Sequence, residues 1–183
     1  MITPLGNRAP KVSKKAFIHP SAEIIGNVLI GENVWIGPHV SIRGDVGSIE
    51  IFEGSNIQDG VIIHSFPGMI ARIKRNAHIG HGAVLHGCTI EEYALIGIRS
   101  TIMDGATIPS NTIIGAHSLV LANSTLVPNS LYFGSPAKWK RNLELKEVEW
   151  IKNGVEVYQK LVQVYKGCSL DEYDMESLHS FKP

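Results

Sequence analysis

Residues 90–120 read Ile90-Glu-Glu-Tyr-Ala-Leu-Ile96-Gly-Ile-Arg-Ser-Thr-Ile102-Met-Asp-Gly-Ala-Thr-Ile108-Pro-Ser-Asn-Thr-Ile-Ile114-Gly-Ala-His-Ser-Leu-Val120. A large aliphatic residue stands at every sixth position. A small residue follows four places later: Ala94, Ser100, Ala106, Thr112, Ser118. A period of six fits neither the 3.6 of a helix nor the two of an ordinary strand. It fits a parallel β-helix, in which each hexapeptide forms one short side of a triangular coil of about 18 residues. The aliphatic side chain points inward and stacks on its equivalent one coil away. The small residue points inward near a corner.

The same phase extends towards the N-terminus. Leu85 and Ile79 continue it after a one-residue slip, then Ile63, Ile57 and Ile51, then Ile42, Ile36, Ile30, Ile24 and Ile18. The matching small or β-branched set is Ala22, Val28, Val34, Val40, Val46, Ser55, Val61, Ala83 and Thr89. Two irregularities interrupt the count. Three residues are inserted near Val46–Glu50, and a longer break from His64 to Ala77 reads as a loop pushed out of the coil. The coils are expected to end near Phe133-Gly-Ser-Pro-Ala-Lys138. Leu145, Val148, Ile151, Val155, Tyr158, Leu161, Val162 and Tyr165 then fall at spacings of three and four, the pattern of an amphipathic helix. Gly154 is expected to weaken that helix. The helix should pack along the β-helix flank or on a neighbouring subunit. The organisation predicted is a β-helix over residues 1–136, with a C-terminal helix and tail over 137–183.

The repeat accounts for the composition of the 183-residue chain: 23 isoleucines and 18 glycines against 7% aromatics. Seventeen basic and seventeen acidic residues give zero net charge. That excludes a generic nucleic-acid binder, which carries a basic excess. No run approaches the roughly 20 apolar residues of a membrane span. Two distant cysteines make no disulfide framework, and residues 1–8 resemble no signal peptide. The chain reads as soluble and cytoplasmic, without membrane or nucleic-acid partners. The neutral total hides an imbalance, because no acid lies between Asp59 and Glu91 while Arg72, Lys74 and Arg75 do. Read as a basic loop, this stretch would favour an anion near the site described next.

Four of the eight histidines, His64, His78, His81 and His86, fall in the same stretch. His64 follows the inward Ile63, and His86 follows the inward Leu85. Their separation is one coil plus four inserted residues, so both should project from one outward column. Arg43, one after Ile42, belongs to that column. His81 has a different phase and should diverge from the pair within one chain. It could meet the partner subunit's His64 and His86 in a closed trimer. Three histidines with an open fourth position is a catalytic zinc pattern.

The stretch Arg43-Gly-Asp45, Asn56-Ile-Gln58-Asp59-Gly60, His64 and Ile79-Gly-His81-Gly-Ala-Val-Leu-His86-Gly-Cys88 resembles the γ-class carbonic anhydrases. The resemblance covers about residues 10–140. It implies a left-handed β-helix and a homotrimer. It implies His64, His81 and His86 as ligands of Zn²⁺, with Co²⁺ or Fe²⁺ as alternatives, His81 crossing the interface. It casts Arg43, Asp45 and Asp59 as interface ion pairs, Gln58 as partner of a metal-bound hydroxide, and Asn56 as a substrate-orienting amide. The implied reaction is CO₂ hydration. One departure stands out: the stretch after Asp59 offers no carboxylate as proton acceptor, so His78 or buffer would take that part. Gly134-Ser-Pro-Ala-Lys138 and Glu149–Tyr158 narrow the resemblance to the PaaY and CaiE group, which is associated with coenzyme A thioester pathways. Metal-dependent acyl-CoA thioester hydrolysis is therefore the alternative activity, and hexapeptide acyltransfer a weaker third.

Overall fold

A computed structural model describes residues 1–167. The chain winds into a left-handed parallel β-helix of about seven coils, closed by one C-terminal helix. Each coil contributes a short strand to each of three sides. One side stacks Phe17–Ile18, Trp35–Ile36, Asn56–Ile57, His78–Ile79, Leu95–Ile96, Ile113–Ile114 and Ser130–Phe133, all parallel. The next carries Ile62–His64 and Val84–His86, flanked by the long strand Ser41–Ile51 and by Thr101–Ile102. The third carries Ile70–Ile73, Thr89–Ile90 and Thr107–Ile108.

The hexad isoleucines form the core. From Ile24 to Ile114 each is between 0% and 1% exposed. Successive coils bring them into register, as in Ile36↔Ile57↔Ile79↔Ile96↔Ile114. Such columns bury β-branched side chains against their own kind, which suits flat, short strands. Left-handed corners are taken by Gly, by Asn33, Asn76, Asn111, Asn123 and Asn129, and by His39, Tyr93, Arg99 and His117. Asparagine adopts that conformation at lower cost than most residues. At Gly97, a Cβ would meet Ile114 O and Ala116 N at 2.5 Å, so adjacent coils approach too closely there for any side chain.

Three expectations need correction. Val46 does not point inward; it is 43% exposed, and Ile49 takes its place. The reason is arithmetic, because three inserted residues carry the inward position from 46 to 49. Thr89 is likewise displaced by buried Cys88, since the hexad between Leu85 and Ile90 is one residue short. Burial pushes the Cys88 thiol up to about 12, so this cysteine is an inert packing group. Finally, the break from His64 to Ala77 is not all loop. Only its first part leaves the coil. Ile70–Ile73 is a strand paired on both sides, and Ala71, Ile73 and Ala77 are fully buried.

Lys138–Asn142 folds back antiparallel on Ser130–Phe133, a strand the hexad count did not foresee. The helix Leu145–Tyr165 then runs along the isoleucine-lined side. It buries Ile151, Gly154, Val155 and Val162, while Leu145 stays 84% exposed. Gly154 lies within the unbroken helix and is buried. Phe17, Trp35, Tyr158 and Tyr165 form an aromatic seam between helix and coils. No described helix is long and apolar enough to cross a membrane. The tail beyond Gly167, including Cys168, lies outside the described residues.

Glu147 fixes the helix start. It accepts from the Glu144 backbone N–H at 2.8 Å and from both terminal nitrogens of Arg141, at 2.7 and 2.8 Å. The Arg141 hydrogen bond holds the Glu147 carboxyl down at about 2, below its usual range. A depressed folded value means stability present above the unfolded pKa of roughly 4.5 and lost as pH falls towards 2. Because Arg141 is half exposed, screening limits this to about 1 kcal/mol. Glu147→Gln should lower stability at pH 7 by about that amount and flatten the acid limb, read by urea unfolding across pH 2–7.

Candidate metal centre

The outward column predicted from spacing is in register: Arg43 pairs with His64, and His64 with His86. His64 Nδ1 lies 3.0 Å from His86 Nε2, with ring centroids 5.1 Å apart. Each ring is held from behind. His64 Nε2 meets Asp45 Oδ1 at 2.9 Å, and His86 Nδ1 meets Asp104 Oδ1 at 2.6 Å. Phe66, from the turn after His64, stands edge-on to His86 at 4.7 Å.

These contacts dictate the protons. Burial works to raise the Asp45 carboxyl, but hydrogen bonds from Arg43 and His64 and the guanidinium charge outweigh it and hold it at about 2. An ionised carboxylate only accepts, so the proton of His64 sits on Nε2. By the same reasoning the proton of His86 sits on Nδ1, facing Asp104. The two nitrogens that converge at 3.0 Å are then both lone pairs. Two lone pairs at that distance repel unless a cation or an added proton lies between them. Two imidazoles on a tetrahedral zinc, with Zn–N near 2.0–2.1 Å, place their nitrogens about 3.3 Å apart. The pair therefore fits a metal by chemistry and by separation. The carboxylates behind the rings are the usual bracing for metal-binding histidines.

His81 stands elsewhere, as its phase requires. Its Nδ1 meets Asp59 Oδ2 at 2.8 Å, and its side chain is 46% exposed. This too leaves Nε2 bare, directed away from its carboxylate. Among the described residues of one chain no three potential ligands gather into a metal cluster. Arg43 donates to Asp45 Oδ2 at 2.5 Å within its own chain. Asp45 thus links Arg43 to His64, while Asp59 serves His81.

Gln58 and Asn56 are buried, 3% and 0% exposed, and both contact His78. Gln58, His78 and His81 border a cavity of about 600 Å³ between the sheet and the C-terminal helix. Its remaining walls are mostly apolar, among them Leu95, Ile98, Trp150 and Val157.

The basic residues do not form an anion-binding loop. Arg72 pairs with Glu50 at 2.9 Å, Arg75 with Glu53 at 3.3 Å, and Lys74 lies 5.3 Å above the Phe52 ring. All three partners belong to the preceding coil. Both arginines of the acid-free stretch are paired with acids that precede it in sequence and neighbour it in space.

Sequence reasoning missed Asp104. That coil is one residue short, so Leu85 registers with Ile102 and His86 with Met103, and Asp104 sits one position off the column. Asp104→Ala should weaken metal affinity about 10- to 100-fold while leaving the fold intact. Chelator competition, with circular dichroism as control, reads both.

No family model matches the chain. The carnitine operon protein CaiE of Citrobacter koseri is 45% identical over 152 residues, covering 83% of this chain and 77% of that protein. A candidate acetyltransferase from Bacillus cereus superposes with a TM-score of 0.89 at 36% identity, covering 90% of this chain and 96% of that one. A hexapeptide transferase family protein from Anaplasma phagocytophilum superposes at 0.86 with 35% identity, covering 90% and 97%.

Proposed function

The chain belongs to the hexapeptide-repeat family that includes the carnitine operon protein CaiE, and from that premise we propose a metal-dependent enzyme that hydrates CO₂ at a site shared between subunits. The observation that carries this reading is the pair of carboxylate-braced imidazoles converging through bare nitrogens at 3.0 Å. His64 and His86 supply two ligands from one chain, and the partner subunit's His81 supplies the third. A closed trimer repeats that contact three times. The three rings would hold a zinc ion, which would supply Lewis acidity and a hydroxide nucleophile at neutral pH.

The chain's own groups do the rest. Asp45, Asp104 and Asp59 fix the ring orientation of the three histidines. Arg43 keeps Asp45 charged. Gln58 borders the cavity next to His81 and hydrogen-bonds the attacking O–H group. Asn56 acts through Gln58, to which it is bonded.

A specific observation favours thioester hydrolysis as the second reading. Cavities of about 300–1,000 Å³ suit ligands far larger than a three-atom gas, and the cavity beside His81 is about 600 Å³ with apolar walls. An acyl group would fit there with its carbonyl towards the histidines.

Metal analysis combined with stopped-flow CO₂ hydration and an acyl-CoA hydrolysis panel tests both readings. Stoichiometric metal and metal-dependent turnover are expected. Absence of bound metal, with full activity retained by His86→Ala, defeats both. Acetyl transfer to an amine acceptor without hydrolysis would instead favour acyltransferase chemistry.

A further inference from the structure

Asn56, Gln58 and His78 form a closed ring of three contacts at the cavity wall. The Gln58 Nε2 atom lies 2.6 Å from His78 Nε2 and 3.1 Å from Asn56 Oδ1. Asn56 Nδ2 lies 3.3 Å from His78 Nδ1. One terminal atom of Gln58 therefore serves both neighbours. The other is left to the cavity.

Donors and acceptors can be counted round this ring. A neutral imidazole has one donor nitrogen and one acceptor nitrogen. Suppose the shared Gln58 atom is the NH₂ group. It donates to both partners, so His78 Nε2 accepts and Nδ1 carries the proton. Asn56 then turns Oδ1 to Gln58 and its own NH₂ to the His78 Nδ1–H. Suppose instead that the shared atom is the carbonyl oxygen; every role reverses. In either case two bonds are made, and the Asn56–His78 contact brings like groups together. That contact is the longest of the three, as an unmade bond should be. The His78 tautomer and the end of Gln58 shown to the cavity are therefore locked to each other.

In the structure the shared atom is Nε2, and we propose that His78 is a positioning residue, which holds Gln58 with its carbonyl oxygen towards the cavity. The cavity then receives a hydrogen-bond acceptor beside His81, able to take an O–H and unable to hold a carbonyl or an anion. For its chemical use this rests on the metal-site reading; the tautomer itself does not. Burial, and then the nearby His81, hold His78 down to about 4, so the ring is neutral at pH 7. The groups facing it are few. Asn56 lies in register on one side and Leu95 on the other. Tyr158 of the helix presents its ring edge-on at 5.4 Å. Asp59, the nearest acid along the chain to Gln58, is engaged with His81.

Long-range ¹H–¹⁵N correlation spectra of the purified full chain at pH 7 read the ring directly. The expected result is a proton on His78 Nδ1 and a bare Nε2. A proton on Nε2 overturns the proposal. In His78→Phe, Gln58 loses its brace. Its NH₂ signals should shift, and kcat should fall about ten- to a hundredfold with KM nearly unchanged and metal content intact. Unmoved Gln58 signals with wild-type kcat also overturn it. Should that variant not fold, the wild-type tautomer decides alone. Failure of the metal-site reading would appear as missing metal and would leave the tautomer unchanged.

Discussion

Mixing two inactive variants, His81→Ala and His86→Ala, should produce an active enzyme. In the proposed shared site, each variant alone removes one ligand. If the metal contributes several kcal/mol to the transition state, activity falls by roughly three decades in each. In co-refolded trimers, an intact site arises wherever a His81→Ala chain, which keeps His64 and His86, meets the His81 of a His86→Ala chain. At equal amounts and random assembly this holds at about one interface in four. Recovered activity and metal content should both approach that fraction of wild type. A double variant carrying both changes, mixed with itself, gives none. The prediction comes directly from the single-chain geometry, where His64 and His86 converge while His81 turns to Asp59. Were all three ligands to serve within one chain, mixing would recover nothing, and the shared-site reading would end there.

The fold was legible because the hexad signal is set by the inside of the molecule. Ile24 or Ile96 can only be where it is if the coil has that length. The errors share one cause, since a fixed period counts residues and not coils. Val46 and Thr89 were misplaced by an insertion of three and a deletion of one, while Ile49 and Cys88 took the buried positions. The strand Ile70–Ile73 was hidden for the same reason. At the site, His64 and His86 were legible as a column because both follow inward residues. Asp104 was not, because the coil after His86 is one residue short and leaves Asp104 one position out of phase with the column. The role of Arg72 was misread because Glu50 is 22 residues away in sequence but adjacent in space. Neither periodicity nor charge counting could pair Gln58 with His78, since side-chain direction at a corner is set by the packing of the helix as well as by phase.

Ile79→Ala should be the most damaging single substitution in the core, and its consequences should reach the site. Ile79 is fully buried in the middle of the column Ile36–Ile57–Ile79–Ile96–Ile114. Truncation there removes an aliphatic side chain and leaves a cavity that flat, rigid coils close poorly, a cost of about 2–5 kcal/mol. In a solenoid each coil is held chiefly by its neighbours, so loss at a central coil weakens two interfaces at once. Against a typical stability of about 5–15 kcal/mol this is a large fraction. The same change at Ile18, only partly buried near the first coil, should cost much less. Residue 79 also lies next to His78 and two residues before His81, so the backbone it anchors sets the direction of both rings. Unfolding in urea at fixed protein concentration measures the first effect, the concentration being held because assembly adds to apparent stability. Metal affinity of the still-folded variant measures the second. A loss below about 1 kcal/mol at Ile79 would mean that the stacked columns are not the main source of stability. The burden would then fall on the ladder hydrogen bonds and on the C-terminal helix, whose aromatic seam crosses the same coils.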